Sequence, residues 1–280
     1  MIKRLSSRVL VAAFILLIGL VLIAAARKTI TIKGSDTLVI LSQRWAEKYM
    51  EDHPDLIIQV TGGGTGTGIS ALINGITDFA NASRPMKERE KEKLKMKYRS
   101  HGYEIKVAKD GITIYLNAAN KVRELSIGQL RSIYLAEVTN WKDIGGVDAP
   151  IILYGRENSS GTFEYFREHV LGGNDYSRTM QSLPGTAAVV NAVVRDKNGI
   201  GYGGVAYAEG IKIIAVKVDN NSKAYVPSLE TIKNGSYPIT RYLYMYSRMQ
   251  PSAEKKAFIA WILSPEGQKI VSEVGYFPLK

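Results

Sequence analysis

Three short stretches of this 280-residue chain gather glycine and small hydroxyl residues where an apolar run gives way to an amphipathic one: "KGSDTLVIL" at 33–41, "GGGTGTGISAL" at 62–72 and "NSSGTFEYF" at 158–166. The start of a helix exposes unpaired N–H groups and the positive end of the backbone dipole, so an anion placed there gains several hydrogen bonds at once. Serine and threonine add side-chain donors, and glycine lets the backbone come close. The third stretch follows Arg156, whose permanent charge and forked donors suit a tetrahedral oxyanion. The same residue types cap helices in most proteins, and capping alone would explain any one stretch. Three in one chain, one of them beside an arginine, favour an oxyanion site.

Other chemistries find less support. "GGTGTGIS" at 63–70 has the glycine spacing of a phosphate-binding P-loop, but Ile69 stands where that motif needs lysine. "GTGISA" at 66–71 fits a dinucleotide fingerprint, yet the chain beyond it becomes a lysine-rich helix and not a second strand. His53, His101 and His169 are isolated, cysteine is absent, and no G-x-S-x-G occurs, so metal, thiolate and serine-hydrolase chemistry lack their usual marks. Neither a catalytic set nor a cofactor site is expected.

The elements that would carry these stretches alternate. Apolar runs such as "TITIKG", "DLIIQV" and "GITIYLN" feed helical patterns, which is the signature of an α/β fold. "KEREKEKLKMKY" at 87–98 reads as a solvated helix with Leu94 and Tyr98 on its inner face, and Ser126 as the N-cap of the helix that follows. "DNNSKAYVPSLETIKNGSYP" reads as a connection re-crossing the molecule, and the last helical stretch should split at Ser264-Pro265. Residues 1–26 have a basic head, a long apolar run and an alanine-rich end, so they are set aside as an export signal or an N-terminal anchor. The net charge of +11 falls to +8 without Lys3, Arg4 and Arg8, which suits an anionic partner. No basic-aromatic motif points to nucleic acid.

Taken together, "GSDTL", "GGGTGTGI", "DFANASRPM", "DGITIYLNAAN", "GRENSSGTFEYF", "NGIGYGGVAYA", "YPITRYLYMY" and "SPEGQKIVSEVGYFPL" resemble, in order and spacing, the phosphate-binding proteins that serve ABC-type phosphate importers. The resemblance runs from about Thr29 to the C-terminus. It implies a two-lobed α/β fold of the periplasmic-binding-protein type II kind, with two chain crossings, near Lys109–Gly111 and Gly235–Thr240. Lobe I would then comprise 27–110 and 236–280, and lobe II 111–235.

It also implies a non-enzymatic, monomeric, extracytoplasmic receptor that passes inorganic phosphate to membrane permease subunits. A receptor or sensor for sulfate, molybdate or another oxyanion is the alternative on the same fold. Matching the family's ligand contacts gives Ser35, Asp36, Thr37, Leu38 and Thr65 in lobe I and Arg156, Ser160, Gly161 and Thr162 in lobe II. The best-known members carry an aspartate shortly after the "DF" pair to accept the proton of hydrogen phosphate. Here Ser83 and Arg84 stand at that point. Asp36 is the expected replacement acceptor, and Arg84 a second positive contact.

Overall fold

The computed structural model describes residues 28–279, and the expected signal or anchor over 1–26 lies outside the described residues. The chain begins with β1 (Lys28–Gly34), a 3-10 turn (Asp36–Leu38), α1 (Val39–Asp52), β2 (Leu56–Thr61), α2 (Thr65–Asn74), β3 (Phe79–Ala82) and α3 (Glu88–Tyr98). β4 (Tyr103–Leu116), β5 (Glu124–Ser126), α4 (Ile127–Tyr134), β6 (Ile152–Arg156), α5 (Gly161–His169), β7 (Gln181–Leu183) and α6 (Gly185–Arg195) follow. The last part comprises β8 (Gly199–Gly204), a 3-10 turn (Val205–Tyr207), β9 (Lys212–Lys217), α7 (Leu229–Lys233), β10 (Thr240–Ser247), α8 (Ala253–Ile262) and α9 (Pro265–Glu273).

Local sequence explains most of these elements. α1 buries Leu41, Trp45, Ala46 and Tyr49, a stripe at helical spacing, and Trp45 Nε1 donates to the Gly267 carbonyl at 2.8 Å where α9 packs on it. α3 buries Leu94 and leaves most of its charges in solvent, Glu90 being the exception. Ser126 and Gln129 close a capping box at the start of α4, and Ser264 caps α9 with Pro265 at its first position. The stretch at 219–238 differs from the plain connection expected of it. It contains α7, nucleated by Ser228, whose side chain accepts the Thr231 N–H; five residues are too few to display a helical period.

Among the described residues the strands join in the order β2-β1-β3-β10-β4-β8-β6-β7, with β9 also on β4 and β5 on β9. β4 joins the two halves. Up to Gly111 it pairs with β10, and from Ile112 onward it pairs with β8 and β9. On one side of that change lies a core of Ile30, Trp45, Phe79, Val107, Leu243, Phe258 and Val271. On the other lies a core of Ile114, Leu130, Trp141, Phe166, Tyr202 and Val216. The chain returns to the first side between Ile239, buried in the second core, and Leu243, buried in the first. The fold is therefore a two-lobed α/β structure crossed twice by the chain.

Candidate functional site

Each hydroxyl-rich stretch leaves the end of a strand and starts a helix or helical turn at the boundary between the lobes. In the first lobe β1 ends at Gly34, and the Ser35 N–H donates to the Asn81 carbonyl at 2.9 Å, aiming the Asp36–Leu38 turn at the opposite lobe. Thr65 opens α2 and is fully buried. β3 ends one residue before Ser83, whose N–H donates to Thr65 Oγ1 at 3.1 Å, with the two hydroxyls 3.4 Å apart. In the second lobe β6 ends on Arg156, and Ser160 caps α5 by accepting the Thr162 and Phe163 N–H groups at 3.2 and 3.3 Å. An oxygen that accepts in a cap still has its own proton to donate.

The two sets meet. The hydroxyls of Thr37 and Thr162 lie 3.1 Å apart across the boundary, and the Gly66 N–H donates to the Ser159 carbonyl at 2.9 Å. Approach this close requires glycine. Gly64 has φ of +88°, and a Cβ there would lie 2.7 Å from the Ser159 carbonyl oxygen. A Cβ on Gly161 would strike the hydroxyls of Thr65 and Ser83. Ser35, Thr37, Thr65, Ser83, Arg156, Ser160 and Thr162 are each at most 2% exposed.

Arg156 is the positive centre of this seam. Its Nη1 donates to Thr186 Oγ1 at 2.9 Å and its Nη2 to Asp36 Oδ2 at 2.6 Å, while its buried Nε has no protein acceptor. Asp36 Oδ1 accepts the Gly63 N–H at 2.9 Å. The Tyr207 hydroxyl donates to the Asp36 carbonyl at 2.6 Å, and burial, with the Asp36 charge beside it, pushes its pKa up to about 12, so it remains a donor at neutral pH. A guanidinium with a spare buried donor, surrounded by hydroxyls and two helix starts, can hold a small oxyanion through many charge-assisted hydrogen bonds.

Two of the residues expected here are placed differently. Leu38 sends its side chain into the first core and gives its N–H to the Ser35 carbonyl at 3.0 Å. Arg84 turns to Glu90, donating from Nη1 and Nη2 at 2.9 and 2.8 Å, and its Nη1 also reaches the Pro85 carbonyl. Burial pushes the Glu90 carboxyl up, but the hydrogen bonds and charge of Arg84 outweigh this and hold it below the usual range. Four neighbours went unanticipated: Thr186, Tyr207, Asp110 and Arg241. The last two form a buried ion pair directly behind Ser83. Arg241 is the lone charge in its strand, whereas Asp110 follows Glu104, Lys106 and Lys109 in β4 and so carried no comparable signal.

Among the described residues, the acidic and histidine side chains that come close enough to share a metal are Glu88, Glu92 and His101, all exposed on α3 and the turn after it. They belong to none of the three helix starts.

Comparison with known proteins agrees with this fold. The sequence profile of the PBP superfamily domain matches residues 23–266. The phosphate-binding protein PstS of Pseudomonas aeruginosa is 32% identical over 263 residues, covering 88% of this chain and 81% of that protein. PstS of Staphylococcus epidermidis is 35% identical over 254 residues, covering 87% and 77%. Among solved structures, a Clostridium perfringens protein described as a phosphate ABC transporter substrate-binding protein, with bound phosphate, superposes with a TM-score of 0.82 at 29% identity, covering 90% of this chain and 100% of that one. An ABC-type phosphate transport receptor from Vibrio cholerae gives 0.71 at 29% identity, covering 89% and 99%. With the fold and these relatives in agreement, the chain belongs to the PBP superfamily and, within it, to the family of the phosphate-binding proteins named PstS.

Proposed function

We infer that this protein is an extracytoplasmic receptor that closes its two lobes, 27–110 with 236–280 and 111–235, around one inorganic phosphate and hands it to the subunits of an ABC-type permease. It acts as a monomer and binds without turnover. The observation that carries the reading is the seam itself, where Thr37, Thr65, Ser83, Ser160, Thr162 and Arg156 are all buried, Thr37 meets Thr162 and Asp36 meets Arg156 across the lobes, and the Arg156 Nε has no protein acceptor. Closure of two lobes on a ligand sequesters it until a partner reopens them. The names of the relatives favour phosphate among the oxyanions.

Asp36 is the proton acceptor in this reading. Its two oxygens already take the Gly63 N–H and Arg156, yet a carboxylate offers about four lone-pair sites, enough for the proton of hydrogen phosphate as well. Sulfate, which carries no proton at neutral pH, would leave that oxygen facing an anion.

The test is a calorimetric titration of anion-stripped protein with phosphate, repeated in excess sulfate. Tight one-to-one heat that sulfate leaves unchanged is expected. Asp36→Asn should bind phosphate about tenfold more weakly and let sulfate compete. A variant that rejects sulfate as fully as the parent would remove the acceptor role, and a parent that takes both anions equally would make it a general oxyanion receptor.

A further inference from the structure

Asp110 lies on β4 at the point where the strand passes from one lobe to the other, and it is fully buried. Directly opposite on β10, beside the second crossing, stands Arg241, 4% exposed. Asp110 Oδ2 accepts from Arg241 Nε and Nη2 at 3.0 and 2.7 Å. Both partners also reach beyond the pair. Asp110 Oδ1 accepts the Val205 N–H at 3.2 Å, and Arg241 Nη1 donates to the Ser83 carbonyl at 2.9 Å.

Those two outer partners belong to opposite walls of the cleft. Ser83 presents its N–H and hydroxyl to Thr65 in the first lobe. Val205 opens the turn that carries Tyr207 from the second lobe to Asp36. The packing leaves no slack, since a Cβ on Gly204 would sit 3.1 Å from both Asp110 carboxylate oxygens and 3.3 Å from the Thr37 methyl group. The ion pair is thus one side-chain layer behind the site.

A buried ion pair is seldom worth more to stability than apolar side chains of the same shape, because both charges must leave water. One that ties both crossings to both walls has a different use. We propose that Asp110 and Arg241 are positioning residues for the anion site, a clasp at the hinge that fixes Ser83 and the Val205–Tyr207 turn in their closed places and so governs how slowly phosphate leaves. The proposal rests on the phosphate-receptor reading. It adds that residues without contact to the anion set its residence time. Charge balance alone does not suffice, because Ser83 is held by the second arm of the guanidinium, which an ammonium group cannot duplicate while also holding Asp110.

The experiment compares Arg241→Lys and the charge-neutral double variant Asp110→Asn/Arg241→Gln with the parent chain. It measures the melting temperature of the anion-free protein and the release of radiolabelled phosphate into excess unlabelled phosphate. Arg241→Lys keeps the buried charges balanced, and the double variant removes both, so neither strands an unpaired buried charge. In each folded variant we expect phosphate to leave about tenfold faster or more, with an anion-free melting temperature close to the parent's. A folded variant that releases phosphate at the parent's rate, or a rate that rises only in step with a lowered melting temperature, would reduce the pair to a structural one. A parent chain that holds no phosphate would overturn the receptor reading and this proposal together, whereas a retentive parent with retentive variants would overturn the clasp alone.

Discussion

Arg156 and Arg84 make an instructive pair. Both are nearly buried, both are paired with a carboxylate, and both have a buried Nε without a protein acceptor. They differ in where the carboxylate is. Glu90 is six residues from Arg84 in the same lobe, at the start of α3, where it also accepts the Lys87 N–H. Asp36 is 120 residues from Arg156 and in the other lobe. The Arg84 pair can therefore persist whether the lobes are open or shut, while the Arg156 pair exists only when they meet. An arginine close to a site in sequence is a ligand candidate only if its charge has not already been claimed locally.

The strongest way to break this comparison is at Arg156. Arg156→Gln should lower phosphate affinity about a hundredfold, since truncating one member of a buried charge pair costs about 3 kcal/mol and the anion loses its cation as well. Calorimetry would show it, and an unchanged affinity would move the site elsewhere. Next comes Arg84→Gln, which strands the Glu90 carboxylate and should cost about 3 kcal/mol of folding stability in urea titration while leaving phosphate affinity within about twofold. A large loss of affinity at unchanged stability would return Arg84 to the binding site.

The smallest effect concerns pH and sharpens the same contrast. Lys87 and Glu164 form a second ion pair between the lobes, at 2.7 Å. Burial raises the Glu164 carboxyl, but Lys87, with Arg167 and Arg84 nearby, holds it below the usual range. A depressed carboxyl contributes stability that is fully present above its ordinary value, about 4.3, and is lost as pH falls through the lowered one. Closure should therefore weaken below about pH 4. Glu90 is depressed too, but its loss of charge acts within one lobe. Solution scattering of the phosphate-loaded protein should show expansion in acid that Glu164→Gln displays already at neutral pH.

The legible parts of the molecule were local ones. The three hydroxyl and glycine stretches announce helix starts because capping chemistry acts over three or four residues. The α/β order and the split at Ser264-Pro265 follow from period and proline in the same way. What sequence could not supply was which distant residues face one another. Asp110 and Arg241 are 131 residues apart, and nothing near either says that β4 and β10 lie side by side. Thr186 stands at the start of an ordinary amphipathic helix until Arg156 is seen to reach it. Leu38 shows the converse: a position matched by family pattern, whose N–H is here given to the Ser35 carbonyl within the turn.

β4 runs from one lobe into the other as a single strand, paired with β10 up to Gly111 and with β8 from Ile112. A loop hinge is a swivel, with many soft dihedrals and no preferred angle. A strand that is hydrogen-bonded on both sides of the bend behaves more like a leaf spring, whose rest angle is written in its twist. Relatives could then retune how long they keep their cargo through substitutions that alter the curvature of this strand, with every ligand contact left as it is.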